Sequence, residues 1–189
     1  MKWLLFSLGL VAAAAGIVVS GKWYQEHRLT EPEPAPDGGL QHYQSGDDAP
    51  KVIKSTEIIA FTCTISLLAN AEPGELENRV YELSAAVKDG IVSGELAWYD
   101  RINSAKHPFT AELSFMEELQ AIVSAHDLAR HNGYYYEVSG LPNMYGDALD
   151  IRYASGEYIH ARDNQNGFLS REAQHALIKF FAAQIQAKP

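Results

Sequence analysis

Apolar residues recur at every second position through Ile59, Phe61, Cys63, Ile65 and Leu67, with Ala60, Thr62, Thr64 and Ser66 between them. A period of two marks a strand that buries one face. A second alternation passes through Tyr81, Leu83, Ala85 and Val87. The dipeptide Asp89-Gly90 then predicts a tight turn into a third strand through Val92, Leu96 and Trp98. Three successive strands with short connections predict an antiparallel meander.

The period then lengthens. Ser114-Phe115-Met116-Glu117 fits a capping box, in which serine and glutamate satisfy each other's free backbone amides. Phe115, Met116, Leu119, Ile122 and Val123 fall on one face of the helix that follows. Arg130 and His131 sit in its expected last turn, favourable to the dipole, and Asn132-Gly133 is the expected stop.

A hairpin is expected between Ala148 and Arg162. With Ala154-Ser155-Gly156 as a three-residue loop and Gly156 left-handed, Tyr153 pairs with Glu157. Leu149, Ile151, Tyr153, Ile159 and Ala161 then share the buried face, and Asp150, Arg152, Tyr158 and His160 share the other. The last helix follows a Ser170 N-cap and buries Ala173, Ala176, Leu177, Phe180 and Phe181. The reading is an α+β domain over residues 54–189, ordered β-β-β-α-β-β-α, with an antiparallel sheet covered on one face by two helices. A domain of this size buries roughly two-thirds of its surface and needs no covalent staple.

Upstream the pattern is different. Residues 3–21 carry no charge, and at about 1.5 Å per residue they match the hydrocarbon thickness of a bilayer. Trp3 lies at one edge and Trp23 and Tyr24 at the other, where aromatic rings prefer the headgroup level. Ala12 to Ala15 offer small residues for signal-peptide cleavage, but the apolar run continues through Ile17, Val18 and Val19, which favours an uncleaved anchor over residues 1–28. A short positive N-terminal tail ahead of an acidic segment predicts the N-terminus inside and the C-terminal domain outside the cytoplasm. Ala12, Gly16 and Ser20 repeat every four residues, as is common in such helices. Residues 29–53 read as an acidic, proline-rich linker: Pro32, Pro34, Pro36 and Pro50 are interspersed with Glu31, Glu33, Asp37, Asp47 and Asp48, and no periodic apolar face exists to offset ordering.

Composition narrows the functional classes. A formal net charge of -9 argues against nucleic acid as a partner and against a basic surface lying on anionic lipid. The single cysteine, Cys63, allows neither an intrachain disulfide nor a structural zinc site, and its apolar surroundings mark it as an inert core thiol. The seven histidines show no metal-ligand spacing, and no phosphate-cradling glycine loop or nucleophile elbow occurs. Asp163-Asn164-Gln165-Asn166-Gly167 evokes a calcium loop but fails its register, because Glu172 falls one position short of the required glutamate; a polar turn ahead of a helix fits better. No metal or cofactor is expected.

From Leu128 to Phe181 the chain carries Leu128-Ala129, Asn132-Gly133, Gly140-Leu141-Pro142, Leu149-Asp150-Ile151, Tyr153, Ser155-Gly156-Glu157, Asp163-Asn164 and Phe180-Phe181. This last third resembles an uncharacterised group of small envelope proteins and lipoproteins from anaerobic, mainly Gram-positive bacteria. In that group a helix ending in an Asn-Gly-like turn leads to a hairpin with a glycine turn, a polar loop and a closing helix. The lipoproteins' N-terminal lipobox cysteine is missing here, and the resemblance implies no activity.

The least ordinary feature is the polar hairpin face beside a tyrosine-rich loop, Tyr134 to Tyr145. Asp150 is expected to oppose His160, and Arg152 to oppose Tyr158, as ordinary cross-strand pairs also do. Tyrosine gives large contact area at low entropic cost. The sequence therefore points to a non-enzymatic binding module at the cell envelope, tethered by a single-pass helix. Tyr135, Tyr145, Asp150, Arg152, Tyr158 and His160 are its candidate contacts for an unknown protein or envelope ligand. The alternatives are a hydrolase using Asp150, His160 and Asp163, and a structural subunit acting through the membrane helix.

Overall fold

The computed structural model describes residues 41–46, 48–68, 78–140 and 145–186. The anchor expected over residues 1–28 lies outside them, and so does the first part of the expected linker. Among the described residues no helix is long and apolar enough to cross a membrane.

Five strands come first: β1 (Gln41–Ser45), β2 (Ile58–Ser66), β3 (Val80–Lys88), β4 (Ile91–Tyr99) and β5 (Ser104–Ala111). Helix α1 (Ser114–Ala125) and a 3₁₀ turn (Leu128–His131) follow. The chain then forms β6 (Tyr134–Val138), β7 (Ala148–Tyr153), β8 (Tyr158–Asp163) and helix α2 (Arg171–Gln186). The strands make one sheet in the order β1-β6-β8-β7-β2-β3-β4-β5. The architecture is mixed α+β, and the expected elements are present in the expected order as β2, β3, β4, α1, β7, β8 and α2.

The sheet differs from the expected one in two ways. It is not wholly antiparallel, because β6 runs parallel to β8 through Tyr135↔Arg162 and Tyr136↔Asp163. It also has three more strands, of which β1 and β6 lack the alternation that would announce them and β5 carries a weak one, Ala105, His107, Phe109 and Ala111 against Ser104, Lys106, Pro108 and Thr110. β5 buries only Phe109 fully, and as an edge strand it tolerates Pro108. β6 is the tyrosine run expected to be loop. Residues 41–45, within the stretch read as linker, pair with β6 through Gln44↔Tyr135 and its neighbours. For β1 and β6, backbone pairing with distant chain decides the strand, so local periodicity is silent.

Side chains substitute for the ladder where β6 meets β8. Asn164 Oδ1 accepts from the Val138 amide at 2.9 Å while its Nδ2 donates to the Val138 carbonyl at 3.0 Å. Asn132, fully buried, does the same at the other end: Nδ2 donates to the carbonyls of Pro50 and Tyr158, and Oδ1 accepts from the His160 amide at 2.9 Å.

Local chemistry explains the turns. Asp89 and Gly90 both have positive φ, 52° and 78°, and Lys88 pairs directly with Ile91. This is the primed two-residue turn whose twist suits a hairpin. Gly156 has φ 87°, and the Tyr153 amide donates to the Glu157 carbonyl at 3.0 Å, as expected. The capping box at Ser114 does not form: Ser114 is already helical and no side chain caps the end. Nor does the helix run to His131. Asp127 adopts the left-handed conformation, φ 48°, and the chain tightens into the 3₁₀ turn before Gly133, φ 81°. Ser170 does cap α2, accepting from the Ala173 amide at 3.2 Å.

Both helices pack on one face of the sheet. Phe61 and Phe109 from the strands meet Phe115 of α1 and Phe181 of α2, with ring centroids 5.3–5.9 Å apart. Gly94 makes room for this cluster, since a Cβ there would come within 2.3 Å of the Phe109 ring. On the opposite face the sheet is open around the β7–β8 hairpin, where Thr62, Arg152 and Tyr158 are exposed, while Ser66, Val80 and Ala97 on that same face are buried.

Candidate functional site

The face opposite the helices is built by strand alternation. In β7, Leu149, Ile151 and Tyr153 are buried, while Asp150 and Arg152 point outward. In β8, Ile159, Ala161 and Asp163 are buried, while Tyr158, His160 and Arg162 point outward. The register is Asp150↔His160 and Arg152↔Tyr158, as read from the sequence. Thr62 of β2 lies beside Asp150 on the same face. Tyr135 joins from β6, because its pairing with Arg162 puts both on the outer face.

Asp150, Arg152, Tyr158 and His160 line a groove of about 470 Å³, together with Ile59 and Glu157. Ile59 was expected in the core. A register irregularity between Ile58 and Ala60 buries Ile58 instead and turns Ile59 outward. Glu157 closes one end and is tied down by the amides of Lys54 and Ser55 and the Ser155 hydroxyl. Those donors hold its carboxyl below the usual carboxylate range.

The central contact is His160 Nδ1 to Asp150 Oδ1 at 2.8 Å. The hydrogen bond raises the His160 pKa above an ordinary histidine, against opposing contributions from partial burial and the nearby Arg162. Beyond it, Tyr135 donates its hydroxyl to Glu137 Oε2, and burial with that carboxylate raises the phenol's pKa. Arg152 and Arg162 take part in no ion pair among the described residues. Tyr145 is exposed in the segment before β7 and is not among the residues lining the groove.

Asp163 stands apart from the other candidates. It is three residues from His160, so alternation carries it to the helix-covered side, where only 3% of it is exposed. Its Oδ2 accepts from the Tyr134 hydroxyl at 2.9 Å, and its Oδ1 from the amides of Gln165 and Asn166 at 2.8 Å each. The Asp163 carboxylate thus organises the polar turn before α2. Asp150, His160 and Asp163 do not converge.

Three residues escaped the sequence reading. Arg162 follows His160 by two and was legible from the same alternation. Asn132 was recognised only as helix punctuation. Asp147, 1% exposed, accepts from the Leu169 amide at 3.0 Å, the Ser66 amide at 3.4 Å and Gln174 Nε2 at 3.2 Å. Burial raises its carboxyl to about 6 despite those donors. No local pattern marks a carboxylate whose partners come from β2, the loop before α2 and α2 itself. Cys63 is buried, with its thiol pushed well up by burial. Among the described residues no group of three or more His, Cys, Asp or Glu side chains could hold a metal.

Comparison with protein-family models, with curated proteins and with solved structures yields no match in any of the three.

Proposed function

We propose that this chain is a single-pass membrane protein that displays a non-enzymatic binding module at the cell envelope. The module takes its ligand on the open sheet face around the β7–β8 hairpin. The observation that carries this reading is the asymmetry of the sheet: both helices lie on one face, and the other presents a groove with Asp150, Arg152, Tyr158 and His160 on it. Tyrosine and arginine on rigid strands suit recognition, because little side-chain freedom is lost per contact. The apolar run at residues 3–21 supports the tether, and the resemblance to small envelope proteins supports the location. The hydrolase alternative keeps the Asp150–His160 contact but lacks its second carboxylate, since Asp163 is on the other side of the sheet.

The test is site-specific photo-crosslinking in intact cells from Thr62, on the open face, and from Lys179, exposed on α2. Discrete adducts are expected from Thr62 alone, and their loss when Tyr135, Tyr145, Tyr158 and His160 are replaced together. Identical adducts from both positions, or adducts that survive the fourfold replacement, contradict the reading. Protease removal of a C-terminal tag from intact cells, without lysis, tests the outward orientation.

A further inference from the structure

The chain holds 24 acidic residues against 15 lysines and arginines, so its cations have abundant partners to choose from. Arg152 and Arg162 nevertheless stand on adjacent strands without an ion pair among the described residues. The nearby carboxylates are otherwise engaged. Asp150 is held by His160, Glu137 by Tyr135, and Glu157 by the amides of the turn. Each arginine also has a tyrosine as its cross-strand neighbour: Tyr158 opposite Arg152, and Tyr135 opposite Arg162. The face therefore presents two arginine–tyrosine stations with the Asp150–His160 pair between them.

The spacing of the stations is set by the strand. Arg152 lies at the level of Tyr158, and Arg162 is four residues further along β8. Four extended residues span about 13 Å of backbone, which suits two separate carboxylates, one at each arginine. An extended polypeptide repeats the same rise, so its residues i and i+4 match the two stations and project to the same side. The residue at i+2 then faces His160, whose Nδ1 is occupied by Asp150 and whose other ring nitrogen is left to meet a hydroxyl or carbonyl.

We infer that the open face between Arg152 and Arg162 docks an extended acidic segment of a partner protein, carrying carboxylates four residues apart. This rests on the binding reading above and adds the chemical class of the ligand. Each guanidinium takes one carboxylate, the neighbouring tyrosine packs against the segment, and the Asp150–His160 pair reads the residue between.

The test uses the full-length chain in detergent micelles and a fluorescent peptide of Glu-Ser-Ser-Ser repeats, with Gln-Ser-Ser-Ser repeats as the neutral control. Fluorescence anisotropy is expected to show binding of the glutamate peptide alone. Arg152→Gln and Arg162→Gln should each weaken it about tenfold, the magnitude of one charged hydrogen-bonded contact. Lys106→Gln, at the far side of the sheet, should leave it unchanged. The inference is overturned if the glutamate peptide does not bind, or if it binds the double arginine variant as well as the parent. It is also overturned if polygalacturonate binds through the two arginines while the peptide does not, which would make the ligand an acidic carbohydrate. If the Thr62 adducts still depend on the fourfold replacement when the peptide fails, only the ligand class falls.

Discussion

His160 Nδ1 and Asp150 Oδ1 lie 2.8 Å apart on the outer face, both side chains nearly half exposed. A carboxylate at that distance favours the imidazolium, so the folded His160 pKa is above its ordinary value of 6.5. The stability this pair contributes is full below 6.5 and is lost as pH rises through the higher folded value. An NMR titration of the His160 ring should give a midpoint above 6.5, and Asp150→Asn should lower it. An unchanged midpoint in that variant would show that Asp150 does not set the protonation of His160.

Asp147 acts in the same direction through a different cause. Burial lifts its carboxyl from 3.8 to about 6, so between those values the folded chain binds a proton that the unfolded chain does not. Stability should therefore fall as pH rises from about 3.8 to about 6, on the order of 3 kcal/mol over that window for this group alone, and level off above it. His131, held below its ordinary value by burial and Arg130, works the other way. Denaturation of the parent and Asp147→Asn across pH 4.5–7.5 isolates the Asp147 contribution. The parent should lose stability relative to the variant mainly as pH rises from 4.5 to about 6. Parallel curves would refute the elevated Asp147 pKa.

Asn132, itself fully buried, makes three partly buried hydrogen bonds, to Pro50, Tyr158 and His160. Asn132→Ala strands those backbone groups and should cost roughly 3 kcal/mol, read as a lower midpoint in chemical denaturation. The same change should loosen the β6–β8 seam, with faster amide exchange at His160 than at Ile151. A loss well under 1 kcal/mol would mean that water replaces the amide at no cost.

Gly146 is held against backbone: a Cβ there would lie 1.9 Å from the Asp163 carbonyl oxygen. Gly146→Ala must push β8 away from the segment before β7 and should cost about 2 kcal/mol. Gly90→Ala meets no atom within 4 Å, so only its positive φ is penalised. Its cost should be about 1 kcal/mol. Reversal of that order in thermal denaturation would contradict the close approach at Gly146.

Phe181 is fully buried and its ring meets Phe61, Phe109 and Phe115, so it joins α2 to the sheet and to α1. Phe181→Ala should cost about 4 kcal/mol, and Phe180→Ala less, because Phe180 is only partly buried. Equal losses would mean that the two rings share the load evenly.

The sequence by itself determined the elements whose information is local. Alternation marked β2, β3, β4 and the β7–β8 hairpin. Asp89-Gly90 and Gly156 set their turns, and together these placed Asp150 opposite His160. The stripes of α1 and α2 were legible because a helix must bury one side. Tertiary structure decided the rest. β1 and β6 have no alternation of their own and become strands through backbone pairing with chain far away in sequence. The true end of α1 depended on a left-handed Asp127, and the outward turn of Ile59 on an irregularity in pairing between β2 and β7. The separation of Asp163 from His160 is a parity effect, legible once β8 was known to continue to residue 163. Asn132 and Asp147 are set by convergence: their partners come from several distant segments, and only the assembled fold brings those donors and acceptors within hydrogen-bond distance.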